Sequence, residues 1–215
     1  MLTNLRKEFK LSLHPTVPIF WLLSALVLVP NYPYLVIFFY TTLGLFFIEL
    51  NSRENNDLRY SLLLPRSKAD IVKTRLFFIM IIELIQVILI LPFAYLRTLW
   101  LSDLNVIPGQ ANLALLGLGL TLLGLFNLTF YPILFKDPTR IGRAYIWGTI
   151  VLTIGIILVE TLFFISPFFQ TNLNDLAPKH FMAQFLTGFV GLVLFFGCSH
   201  FANYFATRHF EHYDA

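Results

Sequence analysis

Apolar residues in this chain come in long unbroken blocks separated by short polar segments. The blocks predict helices over about 16–31, 33–50, 74–96, 112–135, 144–166 and 182–204. An α-helix needs about 20 residues to cross the hydrocarbon of a bilayer, and the first block is short against that length. No two-residue alternation runs through the blocks, which argues against a transmembrane barrel.

The polar segments carry their own signals. Residues 1–15 place Leu2, Leu5, Phe9 and Leu13 at helical spacing, with Arg6, Lys7 and Lys10 elsewhere on the wheel. That pattern predicts an interfacial helix lying on the cytoplasmic leaflet. Pro30 and Pro33 around Asn31 predict a tight turn between the first two helices, with one re-entrant hairpin as the alternative to two crossings. Ser67-Lys68-Ala69-Asp70 has the form of a capping box, so the third helix is expected to begin near Ser67. Gly117, Gly119, Thr121 and Gly124 offer the fourth helix a close-packing face. An outer loop is expected over 97–111, with Trp100, Asp103, Pro108 and Gly109. A second outer segment, 167–181, is apolar enough to dip into the interface, and a polar tail follows 204.

Composition narrows the class. Hydrophobic residues make up 57% of the chain and charged residues 13%, against about 25% charged in soluble domains. The reading is an all-α polytopic membrane protein, a single transmembrane domain over 1–215. The basic start and apolar run resemble a signal peptide, but no small-x-small cleavage site follows, so a retained first helix is expected. The net charge of +3 is not read as nucleic-acid binding, because basic residues in membrane proteins chiefly set orientation. The expected inner segments hold 13 of the 15 Lys and Arg residues, leaving Arg97 and Lys179 outside. That split predicts six helices with both termini cytoplasmic. The lone cysteine, Cys198, forms no intrachain disulfide and reads as a small buried helix residue.

Several polar residues within the apolar blocks are candidates for chemistry. Glu83, Gln86 and Glu160 form a candidate translocation path, since a carboxylate in hydrocarbon faces a cavity, finds a partner or stays protonated. The structural alternative is interhelical hydrogen bonding, for example to Asn127, or snorkelling of Glu160. Glu49 and Arg53 have the spacing of an i, i+4 anchor pair. They also faintly resemble a Glu-Glu-x-x-x-Arg membrane-protease motif, which lacks its second Glu here. His200 reads as an interface residue, and His209 and His212 as part of a solvated tail with no partner ligands for a metal. No nucleotide-binding loop, Gly-x-Ser-x-Gly or His-Glu-x-x-His is present. No catalytic or metal site is assigned.

The richest segment is 51–75, with Arg53, Arg59, Arg66, Lys68, Lys73 and Arg75 flanking a short apolar patch. Asn55-Asn56-Asp57 can cap a short helix over 58–64, with Leu58, Leu62 and Leu63 as its ridge and Pro65 ending it. Such a helix beneath the membrane is either a headgroup anchor or a knob for a soluble partner.

Leu64-Pro65-Arg66-Ser67-Lys68-Ala69-Asp70-Ile71-Val72-Lys73-Thr74-Arg75 resembles the Leu-Pro-x-Ser-Arg-x-x-Ile-Val-x-x-Lys region of small type-2 ABC exporter permeases. Asp57 and Arg59 also fit, and Lys68 stands where that family often has Arg. The resemblance implies a coupling helix that docks on a cytoplasmic ABC ATPase subunit through Asp57, Leu58, Arg59, Leu62, Leu63, Leu64 and Pro65. It further implies ATP and Mg in that partner rather than in this chain, and a second permease subunit as homo- or heterodimer. The path would lie between the two subunits, partly lined by helices 2 and 5. The location would be a bacterial plasma membrane, and the cargo an amphipathic peptide or lipid-like molecule. The rival expectations are a non-transporting membrane immunity or sensor protein and, more remotely, an intramembrane enzyme using Glu83 or Glu160.

Overall fold

A backbone surrounded by lipid must satisfy its own N–H and C=O groups, and a helix does so within one segment. A computed structural model of the chain describes residues 2–100, 109–174 and 178–213, and these are helical with short connections. The elements are α1 (Leu2–Leu11), α2 (Val17–Leu22) continuing as a 3₁₀ helix (Leu23–Leu28), α3 (Val36–Glu54) and α4 (Asp57–Leu63). They are followed by α5 (Lys68–Trp100), α6 (Leu113–Lys136), α7 (Ile141–Ile165) and α8 (Phe181–Glu211).

Four helices, α5 to α8, are long and apolar enough to cross a membrane. The first two expected spans come out differently. Val17–Leu28 is six α-helical and six 3₁₀ residues, and 3₁₀ winding stretches it at about 2.0 Å per residue. α3 has 19 residues, but Glu49, Asn51, Arg53 and Glu54 make its last turns polar. These two segments form a hairpin that turns at Asn31, whose φ of 57° suits asparagine.

The hairpin lies against α5 and is tied to it at three levels. Glu49 of α3 pairs with Arg75 at one end. Midway, Gln86 Nε2 donates to Ser24 Oγ at 2.6 Å. At the other end Arg97 Nη1 donates to the Val27 carbonyl at 3.0 Å, and its guanidinium lies 5.3 Å from the Tyr34 ring centre.

α5 begins as its capping box predicts. Asp70 N donates to Ser67 Oγ at 3.1 Å, and Ser67 Oγ donates to Asp70 Oδ2 at 2.7 Å. The helix extends through Arg97 and Trp100, so the start of the expected outer loop is helical. Asp103 and Pro108 lie outside the described residues. The expected polar tail is also largely helical, because α8 continues to Glu211. Lys68 Nζ caps that end, donating to the carbonyls of Glu211 and Tyr213 at 3.2 and 2.6 Å, as a cation at a helix C-terminus should. His209, read as solvated, donates from Nδ1 to the Pro132 carbonyl at 2.9 Å and joins α8 to α6.

α6 is the central helix, packed along α7 and α8. Phe126, Phe130 and Tyr131 are fully buried on it. A Cβ on Gly191 would fall 2.0 Å from the Gly117 carbonyl oxygen, so α6 and α8 meet backbone to backbone. Small residues permit that approach in lipid, where dispersion between close-packed helices replaces the hydrophobic effect. Gly119 makes room instead for the ring of Phe38 on α3. The Thr121 hydroxyl donates to the carbonyl of Gly117 in its own helix. α7 and α8 turn rows of large apolar side chains outward, including Ile154, Ile157, Phe189 and Phe201.

The two ends of the bundle are chemically distinct. Lys68, Thr139, Tyr213 and α4 gather at one end. At the other, Gly109 N donates to Asn174 Oδ1 and Asn112 Nδ2 to the Leu173 carbonyl, both at 2.6 Å. Within the expected outer segment 167–181, a π-type turn (Phe169–Leu173) buries Leu173.

This arrangement makes a labelling prediction. Single cysteines at Glu54, Thr139 and Thr171, each in a Cys198→Ser background, should separate with an impermeant thiol reagent in intact cells. Thr171→Cys should label, and the other two should label only after permeabilisation. Labelling of Thr139→Cys together with Thr171→Cys in intact cells would break the two-ended arrangement.

Candidate functional site

The candidate site is built at the basic end, where four segments converge on Arg75 of α5. Its Nε and Nη2 donate to the two carboxylate oxygens of Glu49 at 3.1 and 2.9 Å. Its Nη1 donates to Glu8 of α1 and lies 3.7 Å from Asp57 of α4. The planar guanidinium has the donors for such a three-carboxylate hub, whereas a lysine would reach one or two. Lys7 adds a second cation, 2.5 Å from Asp57 Oδ1, and its ammonium also donates to Ser61 Oγ at 2.5 Å. Three carboxylates thus meet two cations. Hydroxyls supply further donors: Ser12 Oγ lies 3.0 Å from Glu8 Oε2, and Ser52 Oγ 3.4 Å from Asp57 Oδ2. Glu8, Glu49, Asp57 and Arg75 are all buried, at 5–8% exposure.

This hub was only partly legible in the sequence. Glu49 was expected to pair with Arg53 one turn on, but it reaches Arg75 instead, and Arg53 is exposed. The first helix was expected to be amphipathic, with Arg6, Lys7 and Lys10 off its apolar face, and Arg6 and Lys10 are exposed. Phe9 packs edge-on against Phe78 of α5 at 4.9 Å, while Lys7 and Glu8 turn inward to the hub. Glu8, Lys7, Ser12 and Ser61 were not anticipated. The available signal was Glu49 itself, a carboxylate inside an apolar helix that needs a cation from elsewhere in the chain.

α4 covers Asp57–Leu63, one residue earlier than expected. Asn56 precedes it with a φ of 51° and gives no side-chain cap, a conformation asparagine tolerates. Asp57 and Ser61 point inward to the hub, and Leu58 and Leu62 are half-buried against the core. Tyr60 and Leu63 face out, at 54% and 81% exposure, beside exposed Arg59 and Pro65. Leu64 is half-buried. The seven residues expected to dock therefore divide: Arg59, Leu63 and Pro65 are available at the surface, whereas Asp57 holds the helix in place from below.

A cavity of about 630 Å³ opens beside α4, bounded by the end of α3, the start of α5 and the α6–α7 turn. The turn is set by Asp137, which accepts from the Thr139 hydroxyl at 2.5 Å and forms an ion pair with Arg140 Nε at 3.2 Å. The Thr139 hydrogen bond holds the Asp137 carboxyl below its ordinary range.

The three candidate path residues do not converge. Glu83 is fully buried and accepts from Asn127 Nδ2 of α6 at 2.8 Å, with Ser199 of α8 3.4 Å from the same amide. Gln86 is taken up by Ser24. Glu160 is half-exposed on α7 and makes no hydrogen bond or ion pair among the described residues. None of the three lines the cavity. Among the described residues no three His, Cys, Asp or Glu side chains are placed to hold a metal ion.

Comparison with protein-family models, curated proteins and solved structures found no match to this chain.

The site makes two stability predictions. Removing one partner of a buried ion pair costs about 3–5 kcal/mol, so Arg75→Ala should sharply lower the thermal unfolding midpoint in detergent. Arg75→Lys should lie between it and the wild type. Glu83→Gln retains an acceptor for Asn127 and should unfold close to the wild type. Glu83→Leu should lose about 1–3 kcal/mol, the penalty for a buried donor left unpaired.

Proposed function

We propose that this chain is the transmembrane permease subunit of an ATP-driven exporter, docking a separate cytoplasmic ATPase subunit through α4. The observation that carries this reading is the two-sided character of that helix. Its inner residues, Asp57 and Ser61, are bound into a buried hub shared with α1, α3 and α5. Its outer residues, Tyr60 and Leu63, stand in the open. A force applied to the outer face is therefore transmitted to α1 and α5 through ion pairs and to α3 through a hydrogen bond, rather than absorbed by a loose loop.

The resemblance of 64–75 to type-2 ABC exporter permeases gives that architecture its interpretation. ATP and Mg would act in the partner, whose closure pushes α4. A second permease subunit would complete the substrate path between the two subunits. The numerous outward Phe and Ile side chains of α7 and α8 suit lipid and an amphipathic peptide or lipid-like cargo.

Six crossings with both termini in the cytoplasm fit the same reading. Arg75 and Arg97 stand 22 positions apart on α5, about 33 Å along the axis, close to the roughly 30 Å of bilayer hydrocarbon. The hairpin of α2 and α3 is held to α5 at both of these levels, so it has the reach to cross twice. The excess of Lys and Arg at the α4 end supports a cytoplasmic position for that end, and the resemblance implies that the membrane is a bacterial plasma membrane.

The test uses the exposed residues. Tyr60→Asp/Leu63→Asp should express, insert and unfold like the wild type, because neither side chain is buried. It should lose copurification with its ATPase and lose transport, since burying charge in an apolar groove is strongly disfavoured. Wild-type yield of the ATPase with this double variant would sink the docking role and favour a non-transporting membrane protein whose loop merely anchors in headgroups.

A further inference from the structure

We propose that the cavity beside α4 is a binding site for one anionic phospholipid of the adjoining leaflet. The inference rests on the membrane character of the chain and is independent of the exporter reading.

The first argument is the shape and lining of the cavity. Its volume of about 630 Å³ lies within the roughly 300–1,000 Å³ of small-molecule sites. Leu58 and Leu62 of α4 and Leu134 and Phe135 of α6 give it apolar walls, so two helices far apart in the chain line it. Leu134 and Phe135 belong to the last turns of the membrane-spanning α6, which puts the cavity at the edge of the hydrocarbon, where an acyl chain can enter.

The second argument is charge. Arg53 and Arg59 line the cavity, are exposed, and make no side-chain hydrogen bond or ion pair among the described residues. The carboxylates that reach it, Glu8, Glu49 and Asp57, are engaged by Arg75 and Lys7. Counting both sets, four cations face three anions, and the two uncommitted charges are both arginines. A guanidinium matches a phosphate oxygen pair geometrically, and the surface of an anionic leaflet concentrates such headgroups at basic segments. An apolar pocket with two free guanidinium groups at its edge is therefore matched by a phosphate carried on acyl chains. Free phosphate lacks the apolar part, and a zwitterionic headgroup carries its own cation, which offsets the phosphate charge and is repelled by the two arginines.

The occupant would touch α3 through Arg53, α4 through Arg59 and Leu62, and α6 through Leu134 and Phe135. A bound lipid would therefore brace α4 against the α6–α7 turn.

The experiment is native mass spectrometry of the full detergent-solubilised chain after incubation with dioleoyl phosphatidylglycerol, paired with thermal unfolding. The wild type should retain one phosphatidylglycerol and unfold at higher temperature with it. Dioleoyl phosphatidylcholine and inorganic phosphate should do neither. Arg53→Gln/Arg59→Gln should bind about 25-fold more weakly, since each basic residue near an anionic surface contributes about fivefold. A charge-matched control, Lys136→Gln/Arg143→Gln, alters exposed basic residues outside the cavity and should retain the lipid nearly as the wild type does. Thr139→Trp, which narrows the mouth, should also reduce retention.

Four results would each overturn the site. They are equal retention of phosphatidylcholine, an equal thermal shift with phosphate alone, unchanged retention in Arg53→Gln/Arg59→Gln, and an equal loss in the Lys136→Gln/Arg143→Gln control. The last would mean that general surface charge, not this cavity, holds the lipid.

Discussion

Arg75 is the residue on which the basic end of this protein depends. One guanidinium engages a carboxylate from α3, another from α1 and, more distantly, one from α4. Each of those acids would be costly to bury alone, and each is buried only because the others hold the arginine in place. The bidentate contact to Glu49 sets the angle between α3 and α5, and the remaining donor sets the height of α1 beneath them. Lys7 and the serine hydroxyls then offset the surplus of negative charge. Four helical segments are given one relative position by polar contacts whose geometry is strict, in contrast to the permissive contacts between apolar side chains.

The rest of the fold obeys a different rule. Around α6 the helices associate through shape, with glycines letting α8 approach backbone to backbone and letting Phe38 of α3 fill the space at Gly119. The outward faces of α7 and α8 carry isoleucine and phenylalanine without any protein covering. In water such a surface would drive aggregation, and in lipid it is the surface the surroundings require. The molecule thus has a dispersion-packed body and an ion-paired base, with α4 belonging to the base.

The sequence made the body largely legible and the base only partly so. Long apolar blocks have one reading, so α5 to α8 fall close to their expected positions, and the capping box at Ser67 and Asp70 correctly moved the start of α5. Local rules also found the short helix at α4. They failed where partners lie far apart in the chain. Glu49 and Arg53 satisfy an i, i+4 rule, yet Arg75 offers Glu49 two donors in a buried setting while Arg53 would keep it near water. Periodicity likewise placed the apolar face of α1 correctly, but it cannot say that Glu8 and Lys7 have partners 67 and 50 positions away. Glu83, Gln86 and Glu160 looked alike as intramembrane polar residues. Only their neighbours distinguish them, with Asn127 and Ser24 taking up the first two and no side chain among the described residues taking up the third.

The sequence separation within the hub also orders the birth of the protein. Glu8 and Arg75 are 67 positions apart, about 3–13 s of synthesis at ordinary elongation rates. Glu8 waits through all of that interval and Glu49 through its last 26 positions, both without the arginine that binds them in the folded chain. The α2–α3 hairpin must therefore wait at the bilayer with its acidic end still in water, and it can seat fully only when the start of α5 arrives. The base of the molecule is closed by α5, the first of its four long apolar helices, so a nascent chain halted before Arg75 would present an unfinished hairpin, with its carboxylates exposed, to whatever proteases patrol that surface.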